Sequence, residues 1–445
     1  MRVQLAYDST TVELQVPDEA LAAVIEPAWP APLERPQAAV AEALRQPVAG
    51  PPLGRVLRTA VESRGTGAAL RGRRTGQRRF QVVILVSDLT RPCPNQDVLV
   101  PILAEVRQAG IPPESVTILI GTGLHAPLMG ERTAELLGPA IAGACRVVNH
   151  FGHRGVTLAH LGRTAAGTPV VLSRPWVQAD VRIATGVVEP HLMAGFSGGR
   201  KAVCPGVAGA ETVLALHSPK FLEHPRALPG CLEGNPEHEE ALAAADFAPP
   251  HFTINVTVDR TPRLTGVFAG DMRAAHQAGV AHLRWHAERQ VPEPCDVLVT
   301  TSGGRPLDAT LYGAEKGLLT ALRVLKRGGS FVWAAALADG LGGPEFTGLV
   351  RKYGTIEEFH AAITAPGAAV VKDQWALENL AKAVRHADIF FWSDRMPWKA
   401  QEADLARFVT PVRSLEEGLA RALAKHGPQP RVIVLPHGPY VLPYV

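Results

Sequence analysis

The sequence predicts an α/β protein of two domains, with mostly parallel, Rossmann-like sheets and an active site in the crevice between them. Three observations predict it. Short β-branched runs recur along the chain, several of them almost continuously apolar, as strands buried on both faces must be. Helical patterns fall between many of these runs, and such alternation favours parallel strands joined by crossovers. The length, 445 residues, exceeds what one hydrophobic core ordinarily supports and suits two domains.

The opening "MRVQLAYDSTTVELQVP" alternates like a strand and lacks the apolar core and cleavage site of a signal peptide. "QVVILVSD", "SVTILIGTG", "VRIATGVVEP" and "FTINVTVD" follow as strands of the first half. "CDVLVTTSGG", "GSFVWAAA", "ADIFFWSD" and "RVIVLPHG" supply the second. Val98 to Ala109 and Tyr312 to Leu325 carry helical spacing. "AGVAHLRWHAERQVPEPCD" reads as a helix that stops at prolines, which puts the main boundary near Glu288 to Pro294. The expected domains are therefore 1–290 and 291–411, with 412–445 expected to complete the first. Ser218 to Pro236, rich in Pro and Gly, reads as a loop bordering a site, and no repeat at a fixed period is visible.

Forty-five basic against 42 acidic residues leave a net charge of +3, too balanced for a dedicated nucleic-acid binder. One basic cluster, "RGRRTGQRR" ending at Arg79, reads as a solvated loop before a strand. No apolar run reaches the roughly 18 residues of a membrane-spanning helix. The five cysteines are scattered and form no CxxC pair, which argues against a disulfide framework and a thiolate zinc site. The expectation is a cytoplasmic protein with neither nucleic acid nor membrane as partner.

In open α/β sheets ligands bind beyond the carboxyl ends of the strands. Asp88, Thr90 and Arg91 follow "VVILVS", His125 follows "TILIGTG", Glu189 and His191 follow "RIATGVV", and Ser302 and Asp308 follow "DVLVTT". The densest stretch is "EPHLMAGFSGGRKAVCPG", residues 189–206. Its glycine run reads either as a cradle of backbone N–H groups for an anion or as a tight turn. It is not the GxxxxGK[ST] nucleotide loop, because Ala202 follows Lys201, and "GTGLHAPLMG" is a poor GxGxxG. His125 and His191, with an unperturbed pKa of about 6.5, can take or give a proton near neutrality. His217 closes a helical segment, as a cap or as a ligand, and no HxxxH pair supports a preformed zinc site. Lys201 either meets solvent or phosphate or, desolvated among cations, becomes a nucleophilic amine.

Taken in order, "SDLTRP", "GTGLH", "EPHLMAGFSGGRK", His217 and "GGRPLDATLYGAEKG" resemble the nickel-dependent lactate racemase family, across both domains. The spacings agree too: ten positions from His191 to Lys201 and sixteen from Lys201 to His217. The resemblance implies a nickel pincer nucleotide, Ni(II)-pyridinium-3,5-bisthiocarboxylic acid mononucleotide, joined covalently to Lys201. It makes His217 the nickel ligand from the protein, completing a planar four-coordinate site of the kind Ni(II) favours. Asp88, Leu89, Thr90, Arg91, Ser197, Gly198 and Gly199 would lie along the cofactor. Arg91 and Lys316 would hold the substrate carboxylate, the first as a fork and the second as a point charge. Tyr312 and Trp375 would line the pocket, although Trp375 alone also reads as ordinary helix packing.

By the same resemblance 1–290 is the catalytic, cofactor-anchoring domain and 291–411 contributes substrate contacts. His125 and His191 act as the acid/base pair, one for each enantiomer. Hydride leaves C2 of a 2-hydroxy acid and returns to the opposite face of a 2-keto acid, which avoids a carbanion beside a carboxylate. The implied partners are the small 2-hydroxy acid and the enzymes that build the cofactor. Two positions depart from the family pattern: Gly313 stands where glutamine is expected, and Ala126 where a basic residue is. Gly313 is expected to open space at the substrate. A short aliphatic 2-hydroxy acid fits the single cationic pair; malate, an aromatic hydroxy acid and a sugar acid are the alternatives. More remote readings are a metal-dependent hydrolase built on the three histidines and a nucleotide-binding module using the glycine loop alone.

Overall fold

The computed structural model describes residues 1–64 and 79–445, so all of the basic cluster except Arg79 lies outside the described residues. Among these residues two six-stranded sheets dominate. The first runs Leu264–Gly270, Phe252–Val258, Val181–Val187, Val82–Ser87, Val116–Gly121 and Arg146–Asn149. All pairs in it are parallel except the edge pair formed by Phe252–Val258 and Leu264–Gly270. Its central strands read VVILVS and VTILIG and are buried on both faces, which is why they lack polar alternation. Each fully buried Val, Ile or Leu there stabilises the fold by roughly 1.5–3 kcal/mol.

The second sheet runs Thr410–Pro411, Asp388–Trp392, Leu325–Ala334, Cys295–Thr301, Val432–Leu435 and Leu21–Val24, parallel throughout. Its last two members correct the expected completion of the first domain by 412–445. Val432–Leu435 lies between Cys295–Thr301 and Leu21–Val24, so both chain ends close the second sheet. The opening stretch forms the hairpin Arg2–Tyr7 with Thr10–Gln15, whose apolar face (Val3, Leu5, Tyr7, Leu14) packs on Val297, Val299 and Val332. Such long-range pairing leaves no mark on local periodicity. Only Leu442–Tyr444 turns back to the junction, pairing with Glu288–Gln290 at the end of helix Met272–Ala287. No helix of the described residues is long and apolar enough to cross a membrane.

The helical spacing from Tyr312 to Leu325 resolves into short pieces, Leu311–Ala314, Lys316–Leu319 and the 3-10 turn Thr320–Arg323. Gly317 permits the close packing of this segment, because a Cβ there would come within 2.2 Å of the Thr301 carbonyl oxygen. The segment lies directly on the end of strand Cys295–Thr301, and Lys316 is delivered to the sheet's carboxyl edge. One apolar core runs from Leu85 and Ala184 of the first sheet to Leu298 and Phe331 of the second, so the halves are packed together.

Candidate active site

The carboxyl ends of both sheets face a shared cavity of about 450 Å³, within the usual range for small-molecule sites. Asp88, Leu89, Thr90, Arg91, His125, His191, Ser197, Gly198, Lys201 and His217 reach it from the first half. Tyr312, Lys316 and Trp375 reach it from the second. Gly199 does not line it, and neither do Ser302 and Asp308. Asp308 accepts from the Asp8 backbone N–H at 2.7 Å, and the Ser302 hydroxyl donates to the Ala314 carbonyl at 2.7 Å. Both are structural.

His125 and His191 are held as different tautomers, assigned from their partners. His125 Nδ1 donates to the buried carboxylate Oδ2 of Asp88 at 2.7 Å, which leaves Nε2 as an acceptor. Thr90 donates to the other Asp88 oxygen through its backbone N–H at 3.0 Å and through its hydroxyl. Burial raises the Asp88 carboxyl, but the hydrogen bonds from His125 and Thr90 outweigh it and hold the pKa below the ordinary value. His191 Nδ1 instead accepts backbone N–H groups of Ala194 at 3.2 Å and Met193 at 3.4 Å, so its proton sits on Nε2. Burial first, then the charges of Lys201, Arg91 and Lys316, keep His191 neutral.

Lys201 and His217 share a drier corner. Burial chiefly, with help from Arg200 and Arg91, pushes the Lys201 amine down to about 8, against a raising effect of Glu237. His217, the residue that ends helix Ala210–Leu216, is pushed down to about 3 by burial and then by Lys201 and His125. Its ring lies tilted against Trp375, 4.6 Å between centroids and 43° between planes, and neither ring nitrogen has a hydrogen-bond partner. A neutral imidazole with a free lone pair, 5% exposed, is chemically able to act as a metal donor. Glu237, wholly buried, puts Oε1 3.9 Å from both Lys201 Nζ and His217 Nε2, and neither of its oxygens has a hydrogen bond.

The glycine loop is the tight turn rather than the open cradle. Ser197 N donates to Glu189 O, Gly199 N to Asn255 Oδ1 at 2.9 Å and Lys201 N to Gly198 O, so these donors are committed. Gly198 and Gly199 have φ of 79° and 53°, and a Cβ on either would lie 2.8 Å from Asn255 or His276. Arg200, 1% exposed, ties the loop back to the Phe196 and Ala194 carbonyls. The Ser197 hydroxyl is likewise committed to Val187 O at 2.7 Å. The loop therefore presents Lys201 by rigid geometry.

Across the cavity Arg91 and Lys316 face the acids Glu189 and Glu315. Burial pushes the Glu315 carboxyl up to about 8 with Lys316 opposing, and burial lowers Lys316. Trp375 Nε1 donates to the Tyr312 hydroxyl at 3.2 Å, so Trp375 is pocket wall as well as helix packing. Gly313 corrects an expectation: a Cβ there would meet the Leu307 carbonyl oxygen at 2.5 Å, so the loop before it fills the room that a side chain would leave. Glu237, Glu315 and Asp373 are the site residues that sequence reasoning missed. Glu315 was adjacent to a named residue, but nothing in local pattern distinguishes a buried glutamate from a solvated one.

Residues 68–230 match the family profile "Lactate racemase N-terminal domain", and residues 291–442 match "Lactate racemase C-terminal domain". The lactate racemase of Lactiplantibacillus plantarum is 33% identical over 364 residues, 81% of this chain and 84% of that one. This chain belongs to the lactate racemase family. A second lactate racemase, from Thermoanaerobacterium thermosaccharolyticum, is 31% identical over 81% of this chain and 84% of its own length. The structure of a lactate racemase apoprotein from that organism superposes over 100% of both chains, with TM-score 0.89 and 27% identity. A protein from Thermotoga maritima shares the fold alone, at 17% identity and TM-score 0.64 over 88% of this chain and 97% of its own. The lactate racemase fold thus accounts for the whole described chain, including the closure of the second sheet by both termini.

Proposed function

We propose that this protein racemises or epimerises small 2-hydroxy acids with a nickel pincer nucleotide anchored on Lys201, lactate or another short aliphatic acid being the substrate. The observation that carries the reading is the pairing, in one cavity, of His217 and Lys201 with two histidines held as opposite tautomers. His217 offers a buried, neutral imidazole with both nitrogens unpartnered, a donor that suits nickel. Lys201 offers a depressed amine at the cavity edge, suited to covalent attachment. When bound, the cofactor supplies a two-electron acceptor and donor for the substrate C2–H bond, chemistry that no side chain offers.

The chain's own groups do the rest. Arg91 and Lys316 bind the carboxylate and fix the C2 centre. His125 Nε2, left as the acceptor by the Nδ1–H bond to Asp88 on the far side of the ring, takes the proton of the substrate hydroxyl. His191 lines the same cavity and presents a neutral Nε2–H that can donate to the substrate oxygen; in this reading it is the partner imidazole for the other enantiomer. Trp375, Leu192 and Met193 line an apolar side that excludes water. The enzymes that build the cofactor are the partners this reading requires, and the cytoplasm is the expected site of action.

Chiral chromatography of a single lactate enantiomer incubated with protein produced beside the cofactor-building enzymes tests the proposal. Inversion is expected, and His125→Ala or His191→Ala should each lower it by about 10²–10⁴-fold. Full activity in either variant contradicts the assignment. A zinc-bearing protein that hydrolyses substrates without any organic cofactor would restore the hydrolase alternative.

A further inference from the structure

We propose that Asp373 is a specificity residue, whose carboxylate turns away substrates with a second negative charge and restricts the cavity to 2-hydroxy monocarboxylates with uncharged side chains. The inference rests on the racemase reading and goes beyond it. Asp373 immediately precedes helix Gln374–Val384, where an Asp side chain ordinarily accepts a backbone N–H of the first turn. Here it makes no such bond. The residue lies at φ 67° and ψ 0°, in the left-handed region, and lines the cavity wall instead.

Its carboxyl group is faced by the Tyr312 hydroxyl, His125, Lys372 and Glu345. Lys372 Nζ is 3.9 Å from Asp373 Oδ2 and 3.4 Å from Glu345 Oε1, so one cation is shared between two acids. Glu315 also lines the cavity at 3% exposure, and burial, which pushes its carboxyl up to about 8, keeps it mostly neutral, so the negative charge on this wall is that of Asp373. Among the described residues the lysines and arginines that line the cavity are Arg91, Lys316 and Lys201, and Lys201 is assigned to the cofactor. Arg91 and Lys316 therefore answer a single carboxylate. A short chain with a carboxylate at each end would bring its second charge against Asp373, whose cation Lys372 is shared with Glu345.

Asp373→Asn tests this, because asparagine keeps the shape and tolerates the left-handed backbone. In the cofactor-loaded enzyme, kcat/KM for malate relative to lactate should rise at least about tenfold in the variant, the change that removing about 1.4 kcal/mol of repulsion produces. A ratio unchanged within about twofold overturns the inference, since a residue that merely buttressed Tyr312 would alter both substrates alike. Calorimetric titration of the loaded enzyme with propionate and succinate, which lack the reacting hydroxyl, gives an answer independent of turnover. The native protein should bind propionate at least about tenfold more tightly than succinate, and the variant should narrow that gap to about threefold. Equal affinities in the native protein, or a gap that persists in the variant, count against Asp373. Failure of every 2-hydroxy acid to react, with this binding pattern intact, would sink the racemase reading and leave the charge selectivity standing. Asp373→Ser, checked by circular dichroism, replaces the asparagine variant if that one does not fold.

Discussion

Lys201 is the residue whose behaviour the structure constrains most sharply. Its amine titrates near 8, chiefly through burial. An ordinary lysine titrates near 10.4, so at pH 7 the neutral, reactive fraction of Lys201 is about one in ten and that of an exposed lysine about one in 2,500. The ratio is roughly 250. Trace acetylation of the cofactor-free protein over pH 6–11, read by peptide mass spectrometry, measures it directly. Labelling of Lys201 should reach half its plateau near pH 8, and at pH 7 should exceed that of solvated lysines after correction for access. Glu237 raises the Lys201 amine from 3.9 Å. Glu237→Gln should therefore move the inflection down, by about a pH unit or more. The sign for stability follows: between about 8 and about 10.4 the unfolded chain holds more protons at this lysine, so stability on its account rises with pH across that window. An inflection above about 10, or an upward move in the glutamine variant, would refute the picture of a desolvated amine.

Two further perturbations test neighbouring parts of the site. Asp88→Asn removes the charge that holds the His125 tautomer, and kcat of the loaded enzyme should fall by about 10²-fold or more with KM little changed, since the substrate carboxylate meets Arg91 and Lys316 instead. A comparable loss confined to KM contradicts the role given to Asp88. Gly313→Gln should not create a better lactate site. Its Cβ would press on the Leu307 carbonyl, and thermal denaturation should show a loss of about 1–3 kcal/mol; an unchanged melting temperature contradicts the packing described.

Much of this architecture was legible in the sequence for physical reasons. Strands such as VVILVS and VTILIG are apolar throughout because both faces are covered, so run length and composition identified them. The reactive residues sat just beyond strand ends, and parallel pairing brought Asp88, His125 and His191 to one edge. Other features depend on distant contacts. The second sheet takes strands from both chain ends, and only register across more than 400 residues fixes that, as between Leu21 and Val432. Gly313 read as an opening because a missing side chain suggests space, yet the Leu307 backbone fills it. Ser197 lines the cavity, and that its hydroxyl is held by Val187 is again decided by a distant contact. Glu237, Glu315 and Asp373 matter through burial, and burial of a lone acid is decided by tertiary packing alone.

The central claim is that the hydrogen on the substrate's C2 leaves and returns without passing through solvent, while His125 and His191 handle only the hydroxyl proton. Lactate deuterated at C2, incubated with the cofactor-loaded protein in ordinary water and followed by chiral chromatography with mass detection, tests it most directly. The account predicts that the inverted enantiomer keeps its deuterium. Inverted product that carries protium as fast as it forms would contradict it.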